Sequence, residues 1–290
     1  MSLLSWEEAV QWLRAQPGQE ALVYACYYDD PLCEAAERFR LAPEWQTLRA
    51  LLPVAGGRAL DLGAGRGISS YALAREGWLV TALEPDPSMV VGAGAIRALA
   101  ADAALPIEVR TECSEELPFP ADHFDLVYCR QALHHARDLR LTCREAFRVL
   151  RPGGQFIATR EHVISREADL PAFLDAHPLH HLYGGENAHL LSAYLAALAA
   201  AGFSIEAVIQ PFDSPINFSP LSEEELLGII TAPVRRVVGV WPVRVLTSPH
   251  HTLGRCVSRI LRALANRVAS LPGRAPGRLY SFIARKEMRQ

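Results

Sequence analysis

The 290-residue chain predicts an α/β fold with an open, mainly parallel sheet of seven strands. Its composition is that of a folded domain, because half of the residues are apolar and 21% are charged. That composition excludes disordered, collagen-like and coiled-coil chains. From residue 58 onward, short apolar runs alternate with helical stretches, which is typical of βαβ units. A chain of this length also buries a complete core without disulfides or metals.

The predicted strands are short apolar runs at residues 58–62, 78–84, 107–112, 124–130, 155–160, 203–210 and 279–286. Helical patterns fill the gaps between them. Ser88 is a candidate cap for a helix that runs towards Ala100, and Pro152 with the two following glycines ends another helix. A helix rich in Leu and Ala is predicted from Asn187 to Gly202, ahead of the sixth strand.

The sequence divides into a core, residues 58–210, and the regions before and after it. Residues 1–57 are predicted to form an N-terminal helical lid, since Trp6 and Leu13 share one helical face. Residues 279–290 supply the last strand and a tail.

Residues 211–278 separate the last two strands and are too many for a hairpin loop. We therefore predict a helical insertion that caps the substrate pocket. Ser222 with Glu225 forms a capping box in this insertion, and Ser248 with Pro249 opens a second helix.

Positive charge is concentrated at the C-terminal end. Residues 235–290 hold eleven Arg and one Lys against a single acidic residue, whereas the whole chain carries a net charge of −3. In the second insertion helix, aliphatic side chains form one stripe, namely Leu253, Val257, Ile260, Leu261, Leu264 and Val268. We expect this stripe to pack on the core, with Arg255 and Arg259 on the solvated face. The alternative is peripheral contact of this basic helix with an anionic membrane. A nucleic-acid partner is not expected, since no recurrent aromatic stacking pattern accompanies the basic residues.

The six cysteines are scattered along the chain without C-x-x-C spacing. This pattern predicts neither a disulfide framework nor a zinc site, and it fits a reducing compartment. The first residues show no basic segment followed by an apolar one, so no secretory signal is expected. We therefore expect a cytoplasmic protein without a membrane span and without a bound metal.

The motif that carries the chemistry follows the first predicted strand. Gly63, Gly65 and Gly67 come directly after that strand, and a helical pattern follows them. Glycines allow a sharp turn and let a ligand approach the backbone closely. Glu84 ends the second strand, where a carboxylate can hold both hydroxyls of a ribose. The spacing predicts a nucleoside-binding turn; the alternative for Glu84 is a solvated strand end.

Two cofactor classes compete for this turn. NAD-type binders use G-x-G-x-x-G/A, whereas Ile68 occupies the position of the third glycine here. Asp61 precedes the first glycine by two residues, and its charge would repel a pyrophosphate by ~1–4 kcal/mol. S-adenosylmethionine carries an ammonium and a sulfonium, which an acidic residue attracts. The residues favour S-adenosylmethionine, and the alternative role of Asp61 is a cap on the following helix.

Segments 59–73, 84–87, 117–119, 124–127 and 150–154, in this order, resemble class I S-adenosylmethionine-dependent methyltransferases. The resemblance is closest to the bacterial small-molecule group that includes the ubiquinone and menaquinone C-methyltransferases. It implies a Rossmann-like seven-stranded methyltransferase sheet. It also implies transfer of a methyl group to a small-molecule acceptor, with a lipid-linked molecule as one option. The alternatives are a non-catalytic protein that binds S-adenosylmethionine and, with less support, an NAD-type oxidoreductase.

The resemblance further implies the cofactor-binding residues, which are Asp61, Gly63, Ala64, Gly65, Glu84, Pro85, Cys113, Ser114 and Arg130. Among them the two glycines line the methionine part of the cofactor, Asp61 holds its ammonium directly or through water, and Glu84 binds the ribose. Cys113 and Ser114 lie where similar enzymes contact the adenine, although Cys113 replaces the usual acid. Arg130 lies near the transferable methyl group.

Methyl transfer from a sulfonium is an in-line displacement, so holding the acceptor ~3–3.5 Å from the methyl group supplies most of the acceleration. A proton acceptor is needed only where the methyl acceptor arrives protonated. Ligands in open α/β sheets bind at the carboxyl ends of the strands, where polar residues follow the fourth and fifth strands here. From these residues we predict His135 and His162 as catalytic, ahead of His134 and Glu161.

A second group of histidines lies at residues 177–187. His180 and His181 are adjacent and cannot point the same way from a regular element, and no nearby cysteine completes a ligand set. We therefore predict an acceptor-pocket loop here rather than a metal site. Tyr27 and Tyr28 of the lid are candidates for contact with the cofactor.

Overall fold

The computed structural model describes residues 3–53, 56–184, 186–238, 247, 252–274 and 277–288. Its strands are β1 (Arg58–Leu62), β2 (Leu79–Leu83), β3 (Ile107–Arg110), β4 (Phe124–Arg130), β5 (Leu150–Ile164), β6 (His189–Leu190), β7 (Ser204–Ile209) and β8 (Arg278–Arg285). They form one sheet in the order β3-β2-β1-β4-β5-β8-β7, and β6 pairs with the end of β5. Strands β1 to β5 pair in parallel, and β8 is antiparallel to both neighbours. The predicted open, mainly parallel sheet is confirmed.

The sheet contains the seven predicted strands and one short strand that the sequence did not predict. Strand β6 has two residues and pairs with Val163 and Ile164. It is too short to leave a recognisable apolar run. Because residues 189–190 form this strand, the helix expected to start at Asn187 starts later, at Leu191. Strand β5 is longer than predicted at both ends, because residues 150–154 and 161–164 also belong to it.

The helices of the described residues are α1 (Trp6–Arg14), α2 (Glu20–Ala25), α3 (Leu32–Leu41), α4 (Pro43–Arg49), α5 (Ile68–Arg75), α6 (Ala93–Asp102), α7 (Leu139–Val149), α8 (Leu170–Leu174), α9 (Leu191–Ala201), α10 (Pro215–Phe218), α11 (Glu223–Val238) and α12 (Thr252–Ala269). The capping box of Ser222 and Glu225 is present at the start of α11. Within the described part of the chain, no helix combines the length and apolarity that a membrane crossing requires.

Two helix starts were predicted from capping residues. One of them is formed differently, and the other lies outside the described residues. Ser88 does not cap α6. Its hydroxyl accepts hydrogen bonds from the N–H groups of Val90 and Val91, so it closes the turn ahead of that helix. Ser248 and Pro249, the predicted start of α12, lie outside the described residues.

The two faces of the sheet carry separate cores. Adjacent residues of a strand point to opposite faces. Leu60 therefore joins the core that contains Cys143 of α7 and Leu198 of α9, whereas Ala59 joins the core that contains Tyr71 of α5. Because both faces are covered, the central strands are continuous apolar runs, which is the feature that predicted them.

Helices α1 and α2 pack on segments that follow the sheet strands. Val10 of α1 and Val23 of α2 form one cluster with Val91 and Leu179. The first two helices thus contact the chain after β2 and the chain after β5. Their action as a lid remains a prediction.

The apolar stripe of α12 is exposed, so the expectation that it packs on the core is wrong. Ile260 and Leu264 are 59% and 50% exposed. The buried face carries Asn266 instead, whose side chain accepts a 3.0 Å hydrogen bond from the N–H of Phe212 and donates one of 2.8 Å to Asp213. A buried amide requires such partners, and these bonds fix the face of α12 that turns inward.

Candidate active site

One large cavity lies at the carboxyl ends of β1, β2, β4 and β5, where ligands bind in open α/β sheets. Its volume is about 1070 Å³, and the N-terminal helices contribute to its wall. We call the part formed by residues 62–69, 83–86 and 113–115 the glycine-turn half. The part formed by residues 131–137, 160–184, 186, 211–226 and 277–279 is the histidine half.

The backbone of the glycine turn is left-handed at three positions. The φ angles of Gly63, Gly65 and Gly67 are 71°, 55° and 84°, which glycine adopts without steric cost. A Cβ atom on Gly63 would lie 2.7 Å from the Cβ of Ala132, whereas one on Gly65 would meet nothing within 4 Å. Gly65 lines the cavity, so its missing side chain leaves room for a ligand.

The carboxylate of Glu84 lines the cavity beside this turn. It accepts hydrogen bonds from the N–H groups of Gly65, at 2.8 Å, and Asp86, at 3.0 Å. Burial raises the pKa of Glu84 to about 7, although these two bonds oppose the shift. Glu84 is thus a fixed carboxylate on the cavity wall rather than a solvated strand end.

Asp61 lies behind the turn and is not among the residues that line the cavity. Only 1% of it is exposed, and its Oδ2 accepts a 2.6 Å hydrogen bond from the hydroxyl of Ser70 in α5. Burial raises the pKa of Asp61 to about 7. The hydrogen bond to Ser70 of α5 agrees with the alternative role of Asp61 at the start of that helix. Because Asp61 does not line the cavity, it does not contact a ligand there directly.

The remaining residues of the predicted cofactor site also line the glycine-turn half. They are Ala64, Pro85, Cys113 and Ser114. The hydroxyl of Ser114 lies 3.3 Å from that of Thr142. The structure therefore brings together the predicted residues from three separate loops.

Arg130 lines the cavity but is engaged by Glu44, which the sequence analysis did not single out. Its Nε and Nη2 donate hydrogen bonds of 2.6 and 3.0 Å to the two carboxylate oxygens of Glu44 in α4. The side chains are 13% and 3% exposed. Burial alone would lower the pKa of Arg130, but the Glu44 carboxylate outweighs it and raises that pKa. This buried pair braces the N-terminal helices against β4.

A second arginine ties the N-terminal helices to the glycine turn. Arg66 donates to the carbonyls of Tyr27 and Asp29 at 2.7 and 3.0 Å, and to the carboxylate of Asp30 at 2.5 Å. Its side chain is 6% exposed. Its place inside the glycine motif was the only sequence signal of this role, since its partners lie almost forty residues away.

Three cavity residues other than glycine have a left-handed backbone. They are Tyr27 (φ 59°), Gln131 (φ 52°) and Arg160 (φ 59°). Such conformations cost roughly 1–2 kcal/mol each and cluster at functional sites. Tyr28, predicted with Tyr27 to contact the cofactor, also lines the cavity.

The predicted catalytic histidines lie in the same half of the cavity, on either side of a third histidine. The ring of His134 is 4.2 Å from that of His135 and 4.6 Å from that of His162 between centroids. The His135 side chain is 38% exposed, whereas that of His134 is 1% exposed. Burial lowers the pKa values of His134 and His162 well below the usual range, so both rings are neutral at pH 7.

Two glutamates contact these histidines, and of the two only Glu186 lines the cavity. Glu161 lies beneath the histidines, and its Oε2 is 2.7 Å from Nδ1 of His134, within hydrogen-bond distance. Glu186 lies across from it, with Oε1 3.4 Å from Nε2 of His134 and Oε2 4.0 Å from Nε2 of His135. Glu186 was not singled out as a site residue, although it lies in the predicted acceptor-pocket loop at residues 177–187. The histidines at residues 177–187 have no complete ligand set among their neighbours in sequence, whereas the fold gathers His134, His162 and Glu186 from three segments.

Residues 60–158 match the family model of a methyltransferase domain. A ubiquinone biosynthesis O-methyltransferase of Methylobacterium sp. (strain 4-46) is 34% identical over 136 residues, which are 47% of this chain and 50% of that relative. A demethylmenaquinone methyltransferase of Clavibacter sepedonicus is 41% identical over 112 residues, 38% of this chain and 44% of that relative. The chain spans about half the length of the curated relatives it matches. The resemblance to S-adenosylmethionine-dependent methyltransferases is confirmed.

Among solved structures, the chain is similar to geranyl diphosphate C-methyltransferase from Streptomyces coelicolor A3(2), in complex with Mg²⁺, geranyl diphosphate and S-adenosyl-L-homocysteine. The TM-score is 0.57 at 14% identity, over 95% of this chain and 87% of that one. At this identity the likeness shows the fold, so the Rossmann-like methyltransferase sheet is confirmed. These matches give no support to the NAD-type or the non-catalytic alternative.

Proposed function

We propose that this protein transfers a methyl group from S-adenosylmethionine to a small organic acceptor. The observation that carries the proposal is the single cavity that joins the glycine turn to the histidines. A nucleoside cofactor in one half and an acceptor in the other half then meet inside one cavity. The methyltransferase-domain match over residues 60–158 supports the same reaction.

The cofactor occupies the glycine-turn half in this proposal. The bare backbone at Gly63 and Gly65 accommodates the methionine part. Glu84 accepts the ribose hydroxyls with the lone pairs that its two backbone hydrogen bonds leave over. Ser114 and the backbone beside it hold the adenine. Asp61 acts through its charge from behind the turn, where it favours the ammonium and the sulfonium.

The histidine half receives the acceptor. Its wall contains apolar side chains that suit an apolar acceptor body, namely Phe173, Leu179, Phe212, Phe218, Leu221 and Leu226. Arg278 belongs to the same wall, is 8% exposed, and its Nε finds no hydrogen-bond partner among the described residues. An acceptor oxygen can satisfy that donor. We therefore propose an apolar acceptor that carries at least one oxygen.

The reaction is an in-line displacement in which the bond from the acceptor atom to the methyl carbon forms as the carbon–sulfur bond breaks. S-adenosylhomocysteine leaves. For a hydroxyl acceptor, His135 takes the proton, because its partial exposure keeps an imidazolium hydrated. His162 orients the acceptor from β5.

The test is formation of S-adenosylhomocysteine by the full chain with a panel of phenols, catechols, amines and acidic carbon compounds. We expect at least one oxygen acceptor to raise the rate well above that without acceptor. Binding of S-adenosylmethionine without product from any of these classes would instead favour the non-catalytic binding protein.

The exposed stripe of α12 supports a second proposal, which concerns how the acceptor is presented. Leu264 and Val268 are 50% and 53% exposed, and Arg259 and Arg267 on the same helix are also exposed. We propose that α12 contacts an anionic membrane from the cytoplasmic side and brings the enzyme to a lipid-linked acceptor.

Co-sedimentation with vesicles of phosphatidylglycerol and phosphatidylcholine tests this contact. We expect binding at low salt that Leu264→Glu abolishes. Leu41→Glu, at a leucine of α3 that is 59% exposed, serves as the matched control and retains binding. Absence of binding at low salt would end the membrane proposal and leave methyl transfer untouched.

A further inference from the structure

Three side chains from separate segments converge in the histidine half. His134 follows β4, His162 lies in β5, and Glu186 precedes β6. Each offers one nitrogen or oxygen atom, and these atoms all lie within 4.8 Å of one another. All three residues line the cavity, so the point between them is open to a ligand.

The hydrogen bonds of Glu161 decide which nitrogen of His134 is available. The Glu161 carboxylate accepts the backbone N–H groups of Ala132, Leu133 and His134 at 3.0, 3.2 and 3.1 Å. All three neighbours are backbone donors, and the fourth contact of the carboxylate is Nδ1 of His134, at 2.7 Å. Because Nδ1 faces Glu161, Nε2 is the nitrogen of His134 that faces Glu186. A neutral imidazole protonated at Nδ1 carries its lone pair at Nε2.

The carboxylate of Glu186 faces Nε2 of His134. The side chain is 6% exposed, and the hydroxyl of Tyr183 donates to its Oε2. Its Oε1 is buried and finds no hydrogen-bond partner among the described residues. Oε1 lies 3.4 Å from Nε2 of His134, so two atoms that can each act as a ligand face each other. A bound cation satisfies both atoms.

The spacing of the two acceptors fits a metal ion. Ligand atoms about 2.0–2.1 Å from a tetrahedral ion lie about 3.3 Å from each other, close to the 3.4 Å between Nε2 and Oε1. Two imidazoles and one carboxylate form a ligand set that zinc and iron accept.

We propose that His134, His162 and Glu186 bind one divalent transition-metal ion, with Zn²⁺ as the first candidate. Glu161 is a positioning residue that fixes the ring of His134 through Nδ1, as carboxylates behind metal-bound histidines do. Three protein ligands leave a coordination position open towards the cavity, which is typical of catalytic rather than structural zinc. The use of that position by an acceptor oxygen rests on the proposed methyl transfer, whereas the metal binding does not.

The experiment uses the full chain after chelator treatment. Zn²⁺ uptake is measured by calorimetry, and Co²⁺ serves as a visible-absorption probe of the ligand sphere. We expect one ion per chain in both cases. Loss of a residue that holds a metal ligand in place weakens metal affinity by about 10–100-fold. Glu186→Gln and His162→Ala remove ligands themselves, so each should weaken the affinity for the ion by more than that. His181→Ala is the matched control, since His181 is exposed and pairs with Asp175, and it should bind the ion like the unchanged protein.

The proposal is overturned if the unchanged protein takes up neither ion, or if Glu186→Gln and His162→Ala bind as tightly as His181→Ala. Circular dichroism and S-adenosylhomocysteine binding check that each variant is folded. Should His162→Ala not fold, the nearly isosteric Glu186→Gln decides the outcome alone. Metal uptake without any methyl transfer would contradict the proposed function and leave the metal site standing.

Discussion

The two halves of the cavity are built by different means. In the glycine-turn half, three glycines within five residues of one loop shape the backbone, and a single strand-end carboxylate is fixed by backbone N–H groups. In the histidine half, side chains from residues 134 to 186 contact one another, and no local motif joins them.

This difference bears on what each half recognises, the cofactor or the acceptor. A backbone cradle recognises a shape that many related sequences share, so its motif matches known methyltransferases. A set of mutually bonded side chains can be changed residue by residue, so we propose that this half determines which acceptor fits. The distinction predicts that substitutions in the two halves affect different steps of the reaction.

The largest expected effect is on turnover in the histidine half. His135→Ala with His162→Ala should lower turnover by about 10²–10⁴-fold, the usual contribution of a positioned proton acceptor. The dissociation constant for S-adenosylmethionine should change little. Steady-state rates and calorimetry measure the two quantities on the same preparation. Unchanged turnover would remove both histidines from the mechanism.

Arg130 tests whether the cavity wall is held by the N-terminal helices. Arg130→Met leaves the buried Glu44 carboxylate without its main partner and should lower the free energy of unfolding by about 3 kcal/mol, measured by urea denaturation. Arg151→Ala breaks a more exposed pair with Asp125 and should cost less than about 1 kcal/mol. If Arg130→Met kept full stability but lost S-adenosylmethionine binding, Arg130 would be a cofactor ligand rather than a brace.

Gly65 isolates the ligand-binding role of the turn from its backbone strain. Gly65 and Gly77 both have positive φ, and a Cβ on either meets nothing within 4 Å. Alanine at either position should therefore cost similar stability, roughly 1–2 kcal/mol. Only Gly65→Ala should weaken S-adenosylmethionine binding, by about tenfold or more, because its methyl group enters the cavity. Equal affinities of the two variants would place the cofactor elsewhere.

The smallest effect is a pH dependence of cofactor affinity. Burial raises the pKa values of Asp61 and Glu84 to about 7, and their carboxylate forms favour the cationic cofactor. Affinity should thus be about tenfold weaker at pH 6 than at pH 8, and Glu84→Gln should reduce this difference. The same shifts mean that the unliganded protein loses stability as pH rises from about 4 to about 7, because the folded state holds these protons more tightly. Calorimetry at the two pH values would contradict the assignment if it gave equal affinities.

The sequence predicted the sheet and the glycine-turn half because both depend on local pattern. Buried parallel strands are apolar runs, and the turn needs glycine at fixed spacing. The pair of Arg130 with Glu44 could not be predicted, since it joins residues far apart in the chain through tertiary packing. The orientation of α12 was predicted wrongly because its hydrophobic periodicity was outweighed by the hydrogen bonds of buried Asn266. The loop that holds Glu186 was predicted to line the acceptor pocket, but its contact with His134 depends on the fold and could not be predicted.

Calorimetric titration of the full chain with S-adenosylmethionine, S-adenosylhomocysteine and NAD⁺ tests the central claim most directly. The account predicts one site for each of the two sulfur nucleosides and no heat from NAD⁺, with both affinities reduced in Gly65→Ala. Binding of NAD⁺ alone would contradict it.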